Sequence, residues 1–205
     1  VKDFYTNGAR ALQERFDTRR LADRIEERLV HDHLTDDDRA FVERMDMFFL
    51  ATVDKLGRPS CSYKGGEPGF VRVVDEKTIA FPSFDGNGMY VSMGNVLDTR
   101  HVGLLFIDFP AQSRLRLEGE ASIDMDDPLR ASYLEAQLVV RVKVRAVFPN
   151  CPRYVHKMQL VERSRFTPRE GCATPVPSWK RSEWAADTLP MNDPARDPAR
   201  EIAKK

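Results

Sequence analysis

The stretch from Ser113 to Phe148 constrains this chain most. SRLRLEGEASI (113–123) alternates without a break, with Arg114, Arg116, Glu118 and Glu120 on one side and Leu115, Leu117, Gly119 and Ala121 on the other. LVVRVKVRAVF (138–148) repeats the pattern, setting Arg141, Lys143 and Arg145 against Val140, Val142, Val144 and Ala146. A period of two describes a strand with one face in a core and one in solvent. Between the two lies only DPLRASYLEAQ, a short helix signal opening at Pro128. Strands so close in sequence belong to an antiparallel sheet.

The chain from Phe48 onward follows the same grammar. FFLATV (48–53), the turn DKLGRP and SCSY (60–63) predict one hairpin; FVRVV (70–74), the turn DEK and TIAF (78–81) predict a second. HVGLLFID (101–108) is nearly all apolar, which predicts a strand buried on both faces. Six or seven such strands without βαβ alternation indicate a mainly β fold, an antiparallel barrel that closes its own edges.

Residues before Pro59, the first proline, begin as helices. Asp17 or Thr18 caps a segment whose Leu21, Ile25 and Leu29 form one apolar stripe for packing, and Thr35 with Asp38 forms a capping box ahead of Phe41 and Met45. From Cys172 to the end, five of the thirteen prolines accompany weak periodicity, which predicts an extended C-terminal arm. The expected organisation is a helical extension over 1–46, a barrel over 47–160 and a C-terminal segment over 161–205.

Lysine plus arginine and aspartate plus glutamate both count 32, so the net charge is zero. That balance gives no footprint for nucleic acid or an acidic membrane. Cys61, Cys151 and Cys172 are too few and scattered for a disulfide framework or a zinc cage, and no pair of histidines has metal-ligand spacing. With no apolar run of bilayer length and no leader-like apolar core in VKDFYTNGARALQERFD, the expectation is a soluble cytoplasmic protein.

Folding explains FPSFDGNGMYVSMGN (81–95) least. Gly86, Gly88 and Gly94 lie among Ser83, Asp85, Asn87, Ser92 and Asn95. Such a loop either brings backbone amides up to a ligand, with an anion at a helix start near Met89, or is a glycine-rich turn closed by Asn87 or Asp85. KGGEPG (64–69) is a turn, flanked by Tyr63, which can stack on a ring, and Lys64, which can pair with phosphate. Arg114 and Arg116 can grip a phosphate or bridge Glu118 and Glu120. At the exit of the last strand, FPNCPRYVHKM carries Asn150, Cys151, Arg153, Tyr154 and His156. A Cys151–His156 nucleophile pair has no third group to orient it, so no catalytic residue is assigned.

In order, FFLATVDKLGRPSCSYKGGEPGFVRVVDEKTIAFPSFDGNGMYVSMGN, VGLLFIDF, RLRLEGEA and NCPRYVHKM resemble the pyridoxamine 5'-phosphate oxidase-related flavin-binding proteins. The resemblance covers about Phe48 to Met158. It implies a split β-barrel, a homodimer and FMN at the subunit interface, with oxidoreductase chemistry on a small molecule. It places Pro82, Ser83, Asn87, Gly88 and Met89 near FMN, with Ser92 and Asn95 behind them. It sets Tyr63 and Lys64 near the flavin or its phosphate, Arg114 or Arg116 as positive charge, and Asn150, Arg153 and Tyr154 as arrivals from the partner subunit. The family's arginine–lysine and Ser-Arg-Lys phosphate grips are replaced here by FVRVVDEK and Gly86-Asn87-Gly88-Met89, so pyridoxamine phosphate itself is not the expected substrate. Two other classes remain: a flavin or haem carrier or sensor without turnover, haem taking His101, His156 or Cys151 as axial ligand, and an interaction module without cofactor.

Overall fold

Alternation along the strands builds one seven-stranded antiparallel sheet in the computed structural model, which describes residues 1–203. The strands are β1 (Met47–Val53), β2 (Pro59–Gly65), β3 (Arg72–Asp75), β4 (Thr78–Phe84), β5 (His101–Asp108), β6 (Ser113–Asp124) and β7 (Ala136–Pro149), in the order β2-β1-β5-β6-β7-β4-β3. The turn between β1 and β2 is pinned by Asp54, whose carboxylate accepts the Leu56 and Arg58 amides at 2.8 and 2.9 Å. Those bonds, led by Arg58, hold the Asp54 carboxyl below its ordinary value.

Phe48 on β1 meets Phe81 on β4 at 5.0 Å, although the two strands are far apart in the sheet. The sheet therefore curls round its apolar face, where Phe70 and Phe106 also pack on Phe48 at 5.8 and 5.2 Å. The expected closure of a barrel is not completed by hydrogen bonds, because β2 and β3 end the sheet as edges. The reason lies in Phe70 and Val71. They were expected to begin a strand but instead turn inward as core plugs, which leaves β3 four residues long. A Cβ at Gly66 would stand 2.4 Å from the Phe70 ring, so only glycine lets the chain pass so close.

Helices α1 (Asn7–Arg15), α2 (Arg19–Leu29) and α3 (Asp36–Arg44) precede the sheet. The Thr35–Asp38 capping box forms at the start of α3 as expected. Helix α3 also protects an edge: Arg39 donates to the Val73 carbonyl at 2.9 Å and Glu43 accepts the Val73 amide at 3.1 Å. The stripe on α2 behaves differently from expectation. Leu21, Ile25 and Leu29 are exposed, Leu21 at 61%, and Ala22 alone in α2 is buried. Periodicity gave α2 an apolar face, but Val1, Phe4 and Val30 cover Ala146 and Phe148 in its place.

Strand β5 also departs from its expected burial on both faces. Val102, Leu104 and Phe106 enter the core, while Gly103, Leu105 and Ile107 are only part-covered. The helix expected near Met89 begins two residues later, as α4 (Val91–Thr99).

The chain from Leu160 forms a second compact unit, separate from the unit ending at Gln159. The extended arm expected there is folded: β8 (Val176–Pro177) pairs in parallel with β9 (Ile202–Ala203). Lys180 donates to Asp193 at 2.8 Å, with both side chains about 5% exposed. Arg181 binds the carbonyls of Ala195, Asp197 and Arg200, so polar side chains do the work that apolar periodicity does elsewhere.

Candidate functional site

The face of the sheet turned away from Phe48 carries a groove of about 720 Å³. Its floor is apolar, built from Phe49 and Ala51 on β1 and Gly103 and Leu105 on β5, and its charged wall is the outward row of β6. Arg114 Nη2 donates to the Cys151 carbonyl at 2.9 Å, and the Asn150 amide approaches the Arg114 carbonyl at 3.4 Å. Arg114 Nε is buried with no hydrogen-bond partner. Arg116 stands 3.8 Å from Glu118 and lies over the Phe148 ring at 5.2 Å, while Arg145 also binds Glu118. Tyr63 sits edge-on to Phe49 at 6.0 Å, and burial pushes its hydroxyl upward, with Asp46 adding to the effect.

A second set of side chains gathers on the other face, where α4 meets the β1–β2 hairpin. Ser62 and Ser92 hydroxyls are 3.1 Å apart, Asn95 donates to Thr52 at 3.0 Å, and Thr99 donates to the Val53 carbonyl at 2.7 Å. These bonds make Ser92 and Asn95 anchors that fix the start of α4 beside β2. The helix opens on Tyr90 in the left-handed region with no side-chain cap, so no capping side chain occupies its first amides. Lys64 shares a face of β2 with Ser62 and is half-buried. No ion pair is formed by it among the described residues, and burial lowers its ammonium pKa.

The loop after β4 supplies the third set. Pro82 and Ser83 lie on β4 opposite Val139 and Leu138. Asn87 Oδ1 accepts the Met89 amide at 3.1 Å, the local turn that composition allowed, and Gly88 has φ +75°, which glycine adopts without strain. A Cβ on Gly86 or Gly88 would meet nothing within 4 Å, so the space before this loop is open.

The fourteen residues singled out from sequence thus separate. Arg114, Arg116 and Asn150 line the groove, with Tyr63 next to its floor residue Phe49; Lys64, Ser92 and Asn95 gather where β2 meets α4; Pro82, Ser83, Asn87, Gly88 and Met89 are not among the groove residues. Arg153 and Tyr154 follow β7 in exposed chain, Tyr154 at 92%. Arg153 Nε donates to Cys151 Sγ at 3.2 Å, and its backbone amide and guanidinium hold that thiol below its ordinary value. Sequence reasoning missed the floor. Phe49, Ala51, Gly103 and Leu105 alternate with the core residues Phe48, Leu50, Val102 and Leu104, and that alternation was the available signal.

The two polar sets fit the two ends of a flavin phosphate. Lys64 and the uncapped α4 start suit an anion; the groove, with its apolar floor and Tyr63 nearby, suits a planar ring system. Among the described residues no group of three His, Cys, Asp or Glu side chains is placed to hold a metal ion. No helix among them is long and apolar enough to cross a membrane.

Comparison with known proteins adds a family. Residues 34–163 match the model of the pyridoxamine 5'-phosphate oxidase family, more than half of the chain. No curated protein matches. Among solved structures, HupZ of Group A Streptococcus is 17% identical, with 62% of this chain and 99% of that chain covered at a TM-score of 0.47. An FMN-binding protein from Syntrophomonas wolfei is 15% identical, with 68% and 97% covered at 0.42. HutZ, the haem storage protein from Vibrio cholerae, is 18% identical, with 55% and 91% covered at 0.42. At these identities and TM-scores the family match alone assigns the chain.

Proposed function

This chain belongs to the pyridoxamine 5'-phosphate oxidase family, and on that premise we propose that it is a homodimeric FMN-binding oxidoreductase whose curled sheet is the family's split barrel. The observation that carries the reading is Lys64: a half-buried ammonium with no ion pair among the described residues, beside the uncapped start of α4. Burying a charge without a partner is costly, and an incoming phosphate relieves that cost.

In this reading Lys64 and the first amides of α4 hold the phosphate. Ser62, Ser92 and Asn95 keep the helix start in place, since their hydrogen bonds tie it to β1 and β2. Tyr63 and the floor of the groove pack against the ring system and exclude water, while Arg114, Arg116 and Asn150 offer hydrogen bonds at its polar edge. Bound FMN supplies hydride transfer to or from a small molecule. A second copy laid on the outer face of the sheet encloses the groove and brings Arg153 and Tyr154 to it.

The test is a fluorescence titration of the purified protein with FMN and with riboflavin. FMN is expected to bind at least tenfold more tightly, because Lys64 and α4 engage its phosphate. Equal affinities would remove the phosphate site from the proposal. Binding of haem with neither flavin bound would replace this reading with that of a haem carrier, for which His101, in the groove lining, is the nearest ligand.

A further inference from the structure

We propose that the outward charge row of β6 is a self-complementary seam that sets the register of two copies of this chain. The inference rests on the homodimer reading above and adds to it the position of the axis and the residues that meet across it.

The row runs Arg114, Arg116, Glu118, Glu120, two cations followed by two anions, all on the outer face. Successive members are about 7 Å apart along the strand. A two-fold axis through Leu117, perpendicular to the sheet, reverses the row. It brings Arg116 opposite Glu118 of the second copy and Arg114 opposite Glu120 of the second copy, and each contact occurs twice, as isologous symmetry demands. No other axis position along the row pairs every cation with an anion. Sheets stack about 10 Å apart, a gap that an arginine and a glutamate span together.

The chain leaves these groups in need of partners. Arg114 donates to the Cys151 carbonyl but has no carboxylate among the described residues, and its Nε has no acceptor. Glu120 is exposed and forms no ion pair among the described residues. Glu118 binds Arg145 through one oxygen, and its other oxygen is 3.8 Å from Arg116, beyond hydrogen-bonding distance. Beside the row, Phe49, Ala51, Gly103 and Leu105 form an apolar strip wide enough for the desolvated centre of an interface. The charges then act as its rim, selecting this register against the like-charge alternatives.

The experiment exploits the antisymmetry. Full-length Arg114→Glu/Arg116→Glu carries an all-acidic row, and Glu118→Arg/Glu120→Arg an all-basic one. Sedimentation velocity on each is expected to show monomers, with dissociation constants raised on the order of 100-fold over the native chain. An equimolar mixture is expected to recover dimers, because acidic and basic rows match at all four positions. Thermal melts establish that each variant is folded. Should a double variant lose its transition, the single reversals Arg116→Glu and Glu118→Arg complement each other in the same way and carry the same test. Variants that remain dimers, or a mixture that stays monomeric, would overturn the seam and leave the homodimer reading standing. A monomeric native chain would overturn both.

Discussion

Replacing Lys64 with methionine separates binding from stability, because the two are expected to move in opposite directions. The half-buried ammonium has a pKa depressed by desolvation, so folding disfavours its charged form. The unfolded chain holds that proton more tightly, so stability rises with pH from the folded-state value up to the ordinary lysine value. Lys64→Met keeps the stem, removes the charge and abolishes that rise. The ligand-free variant is therefore expected to melt no lower than the native chain at neutral pH, and the gain on raising pH to the lysine range is expected to disappear. FMN binding loses one hydrogen bond between charged groups, about 1.5–3 kcal/mol, which is about 10- to 150-fold in affinity. Riboflavin, lacking the phosphate, is expected to bind both forms alike. Melting curves of the apoprotein at two pH values and flavin fluorescence titrations measure all three. A variant that binds FMN as tightly as the native chain, or that melts lower without ligand, would refute the reasoning.

Other residues make narrower predictions. Phe48→Ala removes a fully buried ring packed on Phe70, Phe81 and Phe106 and is expected to cost about 3–5 kcal/mol in urea unfolding, with little change if the curled core were incorrectly described. Lys180→Met strands the Asp193 carboxylate in a buried site and is expected to destabilise the segment after Gln159 by about 3–5 kcal/mol, read as faster hydrogen exchange there. Burial alone would raise the Asp193 carboxyl, but Lys180 and the Ala195 amide hold it below its ordinary value, so protection of that segment is expected to persist at neutral pH and fall as acid protonates Asp193. Cys151 is expected to react with iodoacetamide before Cys61 and Cys172, and Arg153→Ala to slow it, as mass spectrometry of partly labelled protein would show.

The strands were legible because Arg114, Arg116, Glu118 and Glu120 could not share a face with Leu115 and Leu117 without burying charge. The same rule located β5 and β7 and missed what covers each face. Alternation says that Phe49 and Ala51 oppose Phe48 and Leu50, but only the curl of the sheet decides which set becomes core and which a groove floor. The exposed stripe on α2 is the converse: Leu21, Ile25 and Leu29 share a face whose cover no local pattern specifies. Phe70 and Val71 look like strand residues because β-branched and aromatic side chains also serve as core plugs, and only their tertiary setting separates the two roles. The segment after Gln159 was opaque for a different reason. It is organised by Lys180, Asp193 and Arg181 reaching across long sequence separations, which leaves no periodic trace. At the site, Lys64 was visible as a cation at a loop edge, whereas its lack of an ion pair required coordinates.

The most direct measurement of the flavin site is the visible absorption spectrum of the freshly purified protein, followed by mass analysis of the chromophore released by heat. A flavin spectrum and release of FMN are expected, with the same spectrum regained when the stripped protein is given FMN. A colourless protein that does not take up added FMN, or one that releases haem, would contradict the FMN-binding reading.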